Sequence, residues 1–421
     1  MSQHIGAPPP NRLVDRLGRV PVIGNPAFRI ADYRRLWGGA ALNHLGMSGE
    51  TVILGLLVFR LTESSAWVGI SLALYFLPLL VFGLLSGAIA DWMDRRVLLR
   101  RVELAIISNL LIFASLLALG LERLWLVLLF TLLAGSLRAL HQPLRSSYAY
   151  DIVGGDQVVA GLGLLSLGGR CGQLVGALLS GWVMEQAGSA VAILILVFTH
   201  SLAYGLFRRL QSQGQAASIR REPLLPTLQG YLLELRGNRT LMMLVLVTAA
   251  VEVFGFSFST ALPELVTERF DWGAQGLGLM HAARAVGGIT TSFTLSALGG
   301  KINRRGLAYL GVIFAFGAAL LLLAAAGQFF LALVAMLLVA AMAAASDVLT
   351  QSMVQLSVEN HLRGRAMGAW TLAIGSAPLG HLEMGALAVA LGVEGALAAN
   401  GAALVVVGLI TTLAVPRLRR L

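Results

Sequence analysis

Apolar residues along this chain fall in long, nearly uninterrupted runs, not in the short alternations of a soluble fold. Twelve runs are predicted, over 37–60, 65–90, 97–120, 124–147, 157–183, 189–208, 240–264, 275–299, 306–327, 329–352, 366–391 and 394–415. Each is close to the roughly 20 residues that a helix needs to cross a hydrocarbon core. The pattern predicts an all-α integral membrane protein of twelve transmembrane helices.

One long polar segment breaks the series. Residues 209–239 hold Gln211, Gln213, Gln215, Arg220, Arg221, Pro223 and Pro226. The expected division is a cytoplasmic N-terminal segment (1–36), a six-helix bundle (37–208), a cytoplasmic linker (209–239), a second six-helix bundle (240–415) and a cytoplasmic tail (416–421). Two similar halves around a linker suit a transporter built from repeats.

The basic residues set the orientation. With the N-terminus inside, 24 Arg and Lys fall in cytoplasmic segments, and only Arg60, Arg123 and Arg269 fall outside. That asymmetry is the positive-inside pattern, and it makes both termini cytoplasmic. Residues 1–36 carry no apolar stretch of signal-peptide type, so the first run is expected to direct insertion.

Composition changes the picture little. The chain is 57% hydrophobic and 12% charged, with mean hydropathy +0.80. A net charge of +10 would suggest nucleic acid in a soluble protein. Here the charge lies between apolar runs, and no recognition module accompanies it, so no nucleic-acid partner is expected. The single cysteine, Cys171, excludes an intrachain disulfide and a cysteine-based metal site. No phosphate-binding loop, nucleophile motif or metal cluster occurs, so neither an enzyme nor a cofactor is expected.

The fifth run carries Gly168, Gly172, Gly176 and Ser180 at four-residue spacing, a ridge that lets another helix approach closely. Arg170 sits about 140° round the helix from that ridge, at about 100° per residue. It is expected to point into a cavity.

Ionisable residues inside the runs each need a reason, because charge in hydrocarbon is costly. His44 and Glu50 fall in run 1, and Arg138, His141 and Arg145 on one face of run 4. Glu252 lies in run 7, His281 and Arg284 in run 8, and Asp347 in run 10. Runs 9 and 12 have no interior charge; Glu103 stands near the cytoplasmic end of run 3, and His200 is alone in run 6. The expected site is a polar midplane cavity with carboxylates on runs 1 and 7 and cations on runs 4, 5 and 8. Its candidates are Glu50, Glu252, Arg138, His141, Arg170, Arg284 and Asp347. A carboxylate buried without a partner can exchange a proton near neutral pH, as a proton carrier must. The basic groups would hold an anionic or zwitterionic substrate. The competing reading is a set of ion pairs that hold the helices together, and the histidines are expected mainly to pack and hydrogen-bond.

After run 2 come Gly87, Asp91, Asp94, Arg95 and Arg96. This resembles the loop 2–3 signature of the major facilitator superfamily. Residues 28–37, Leu61 to Ser64, Gln142 to Arg145 and Arg363 to Arg365 are similar to its bacterial efflux branch, which includes siderophore and drug exporters. The resemblance implies two bundles working by alternating access, with runs 1, 4, 7 and 10 lining the cavity and 3, 6, 9 and 12 outermost. It also implies a cytoplasmic latch of Gly87, Asp91, Asp94, Arg95, Arg96, Arg145 and Arg363, with the arginines pairing across the bundle interface. Run 5 departs from the antiporter signature, with Gly172 and Gln173 in place of a glycine–proline pair.

The expected function is proton-coupled export of a small organic molecule, a siderophore-like metabolite or an amphipathic drug. Uptake on the same fold, and a non-transporting sensor or scaffold, are the alternatives. The expected partners are that substrate, protons and membrane lipids, for a monomer in the bacterial cytoplasmic membrane.

Overall fold

The structure is a computed structural model that describes residues 26–92, 94–154, 157–214, 235–298, 304–359 and 362–414. The first four helices are α1 (Ala31–Thr62), α2 (Ser65–Trp92), α3 (Arg95–Ala118) and α4 (Leu124–Val153). The next helical run, Val158–Arg208, holds one non-helical residue, Gly188, at φ 82° and ψ 173°. A side chain would be strained there, so glycine lets the run fold back as α5 (158–187) and α6 (189–208).

The later helices are α7 (Arg239–Phe254), α8 (Gly273–Leu298), α9 (Arg305–Ala324) and α10 (Phe329–Leu356). Then α11 comprises Arg363–Ile374 and its continuation over 377–391. Gly392, at φ 74° and ψ 163°, divides Ala377–Ala414 as Gly188 divides the earlier run, and 393–414 is α12. Among the described residues, eight stretches are long and apolar enough to cross a membrane, two of them 48 residues long. A straight helix of that length would run about 72 Å. The hydrocarbon core is about 30 Å thick, so the glycine breaks let each long stretch turn back.

The run predicted over 240–264 is less regular than its hydropathy. α7 ends at Phe254, followed by a 3-10 turn (Phe256–Thr260), a helical turn (Leu262–Glu264) and a π-turn (Leu265–Arg269). Pro263 has no N–H to offer the carbonyl one turn back, so the regular ladder cannot pass through it.

α1 lies at the centre of the first six helices. Its main contact is the Val158–Arg208 run, as the glycine ridge predicts. A methyl group on Gly172 or Gly176 would sit 2.2 or 2.1 Å from the backbone oxygens of Ala41 and Leu45. The first and last six helices meet along two seams. At one, Gly181 of α5 touches Gly278 of α8; at the other, Gly69 of α2 approaches the His381 carbonyl of α11. Phe198, Phe330, Val389 and Leu413 are exposed on the outside, as lipid-facing side chains would be.

Candidate functional site

The charged residues of the apolar runs turn inward, but they form two different clusters. In the first, Arg138 Nη2 of α4 donates to Glu50 Oε2 of α1 at 2.9 Å. Both side chains are largely buried, Glu50 at 7% and Arg138 at 17% exposure. The guanidinium carbon also lies 5.3 Å from the Tyr75 ring centre, so an aromatic face of α2 backs the cation. Glu50 and Asn109 border two small adjoining pockets between α1, α3, α4 and α6, each with room for about one water molecule.

One turn along α4, His141 meets a carboxylate from near the start of run 3. Glu103 of α3 is fully buried. It takes Nδ2 of Asn43 at 3.0 Å, and lies 3.1 Å from His141 Nε2 and 2.8 Å from His200 Nδ1. α3 and α6 therefore send polar groups inward, although the family pattern places both outermost. His141 joins this cluster and also borders the pocket lined by Asn43, Glu50 and Arg138.

Arg145 Nη2 lies 2.7 Å from His44 Nε2, whose Nδ1 is 3.4 Å from Gln173. Arginine has no acceptor, so His44 accepts on Nε2 and is neutral. Gln173, standing where the signature has proline, thus supplies a polar partner to α1.

The second cluster spans the α5–α8 seam. The Arg170 guanidinium rests on Gly288, where a methyl group would lie 2.2 Å from Nη1, and its Nε is buried without a partner. Arg284, one turn before Gly288, stacks 5.7 Å from the Phe258 ring centre. Glu252 and Asp347 lie close enough to act electrostatically on Arg284, and Asp347 on Arg170 as well. Among the described residues, none of these four makes an ion pair within 4.0 Å. The α1–α4 pair is closed, whereas this quartet is open.

Of the loop 2–3 motif, Asp94 caps α3 by accepting the Arg96 N–H at 2.8 Å. It also accepts the Gly214 N–H at 3.2 Å. Arg95 pairs with Asp151 of α4 at 2.8 Å, and Arg96 donates to the Gln211 carbonyl at 2.9 Å. These contacts join α3 to α4 and to the start of the linker. Gly87 and Asp91 lie in the α2 backbone and Arg363 at the start of α11; their side chains are outside the described residues.

Asp32 has a role that its place in the sequence does not announce. It receives the N–H groups of Gln211 and Ser212 at 2.8 and 2.6 Å, the Ser212 hydroxyl at 2.7 Å, and Arg35 at 2.7 Å. The available signal was an acid immediately before run 1, in a segment otherwise rich in arginine.

Solved structures with this architecture are transporters. A POT family transporter in complex with a thioalcohol-conjugated peptide is 13% identical, at TM-score 0.72, covering 92% of this chain and 96% of its own. A peptide transporter POT in complex with sulfate is 15% identical at TM-score 0.72, covering 94% and 99%. The nucleoside transporter NupG is 14% identical at TM-score 0.68, covering 91% and 98%. At such identities they define the fold alone, that of a multi-pass helical membrane protein. No curated protein sequence matches the chain. The family model described as transmembrane secretion effector matches residues 25–420, and the chain belongs to that family of major facilitator transporters. The family and these structures are transporters, not enzymes.

Proposed function

We propose that the chain is a secondary active exporter working by alternating access, with twelve spans in two six-helix bundles and both termini cytoplasmic. The breaks at Gly188 and Gly392 support that number, since each divides a stretch too long for one crossing. Its substrate is a small organic molecule, siderophore-like or an amphipathic drug, and its driving force is the proton gradient across the bacterial cytoplasmic membrane. It acts as a monomer.

The observation that carries this reading is the buried Glu50–Arg138 pair: Glu50 is not the unpartnered carboxylate expected from the sequence, so it takes up its proton as the pair opens. A proton on Glu50 removes the charge that holds Arg138, so loading and unloading that proton changes the tie between α1 and α4. Such a change biases a two-state equilibrium. Glu252 is the corresponding carboxylate of the second half, and Arg170, Arg284 and Asp347 complete the substrate cavity.

Substrate-loaded inverted vesicles test the proposal. An imposed pH gradient should drive accumulation by the natural chain and not by Glu50→Gln. Accumulation in the opposite sense would make the protein an uptake symporter, and undiminished coupling in Glu50→Gln would remove Glu50 from the mechanism.

A further inference from the structure

Of the Glu103 cluster only His141 is a cavity candidate, yet Glu103 is the most completely buried charged side chain described in the first six helices. Glu103 has 0% exposure, and His141 and His200 are 3% and 1% exposed. A carboxylate in such a place is costly unless a positive charge and hydrogen bonds meet it directly.

Two arginines act on this region, and both are engaged elsewhere. Arg138 donates to Glu50, and Arg145 donates to His44. Neither lies within 4.0 Å of Glu103. Of the other ionisable groups around it, His44 and Glu50 are on α1, and Arg170 on α5 acts on His44. On α3 itself, Arg100 is turned to the carbonyls of Phe207, Arg208 and Leu210. Direct contact with Glu103 is left to the Asn43 amide and the two imidazoles.

The carboxylate uses its oxygens separately. Oε2 faces His141, and Oε1 faces His200. The rings therefore do not converge on one point, as metal ligands would; they form a chain along which one proton can sit. The His141 end borders the cavity that Glu50 and Asn109 share. The His200 end is closed, because its Nε2 packs where a methyl group on Gly46 would lie 2.2 Å away.

We infer that Glu103, His141 and His200 form a second proton-binding site within the first six helices, holding one proton beside the Glu50 chamber. The bound proton makes one imidazole an imidazolium and leaves the cluster without net charge. Its use in transport rests on the proton-coupled reading above; its occupancy does not.

Nitrogen-15 histidine NMR of the full chain in lipid bilayers at neutral pH tests the site, with His141→Gln and His200→Gln variants assigning the signals. The expected result is a single imidazolium shared by His141 and His200, lost in Glu103→Gln and confined to His141 in His200→Gln. Two neutral rings in the natural chain would overturn the inference, as would an imidazolium that Glu103→Gln leaves unchanged. If one histidine variant fails to fold, the signal lost in the other still assigns that ring in the natural chain's spectrum, and its state decides occupancy. Neutral rings alongside a coupling defect in Glu50→Gln would remove this site and keep the proposed function. An imidazolium alongside intact coupling in Glu50→Gln would do the reverse.

Discussion

Arg170 of α5 lays its guanidinium against Gly288 of α8, across the seam between the first and last six helices. Only a residue without a side chain leaves room for it. The contact sits one turn from Arg284, so it sets where two cations stand relative to Glu252 and Asp347. Gly288→Ala should push Arg170 out of this position. Transport should fall by about tenfold, a cost of about 1.4 kcal/mol, with little change in thermal stability, because a flexible side chain can move aside. Vesicle flux compared with melting temperature checks this; a parallel loss of both would make Gly288 a packing residue only.

The Glu50–Arg138 pair should also matter for folding. Glu50→Ala leaves a buried guanidinium without its carboxylate, which costs on the order of 3 kcal/mol. The melting temperature in detergent should fall clearly. Glu50→Gln keeps a hydrogen-bond acceptor and should fall less, so the pair of variants separates loss of charge from loss of packing.

Gly176 packs on a backbone, not on a side chain. A methyl group there would stand 2.1 Å from the Leu45 carbonyl oxygen, and neither helix can yield by rotating a bond. Gly176→Ala should destabilise the fold by about 1–3 kcal/mol, seen as a lower melting temperature. Gly163, with open space around its position, should accept alanine without loss.

At the end of the molecule where α1 finishes and α8 begins, Glu185 ties α5 to two other helices. It lies 3.7 Å from Arg60 of α1 and accepts the Ala274 N–H at the start of α8 at 2.8 Å. The ion pair is half-exposed and contributes little; the cap is worth about 1 kcal/mol. Glu185→Ala should therefore open this end about fivefold more often. In a Cys171→Ser background, an impermeant maleimide should label Thr51→Cys faster from that side.

Asp32 holds the first residues of the linker through three hydrogen bonds from Gln211 and Ser212. Asp32→Ala leaves those donors without their acceptor, at about 1–3 kcal/mol. Limited proteolysis should then cut near 211–214 faster, while the apolar helices stay protected.

Much of the architecture was legible because hydropathy acts over one helix at a time. The apolar runs and the α5 glycine ridge follow from local composition and spacing, and the described residues of the runs are largely helical. The irregular turns after Gly255 were less legible, since an apolar run looks alike whether its ladder is regular or broken. The inward charges were legible as a set, because any charge in hydrocarbon needs a reason. Their partners were not. Glu103 looked like an end-of-helix residue, and His200 stood alone in its run.

By itself, the sequence determined that this chain lives in a membrane as a stack of apolar helices with charged residues that cannot face lipid. Only the tertiary structure decided which charges meet. Glu50 closes on Arg138 and Glu103 on two histidines, while Glu252, Asp347, Arg170 and Arg284 make no ion pair within 4.0 Å among the described residues. The reason is physical: burial of a run depends on its own residues, whereas a pair 2.9 Å apart depends on how helices 88 positions apart in the chain come to lie side by side.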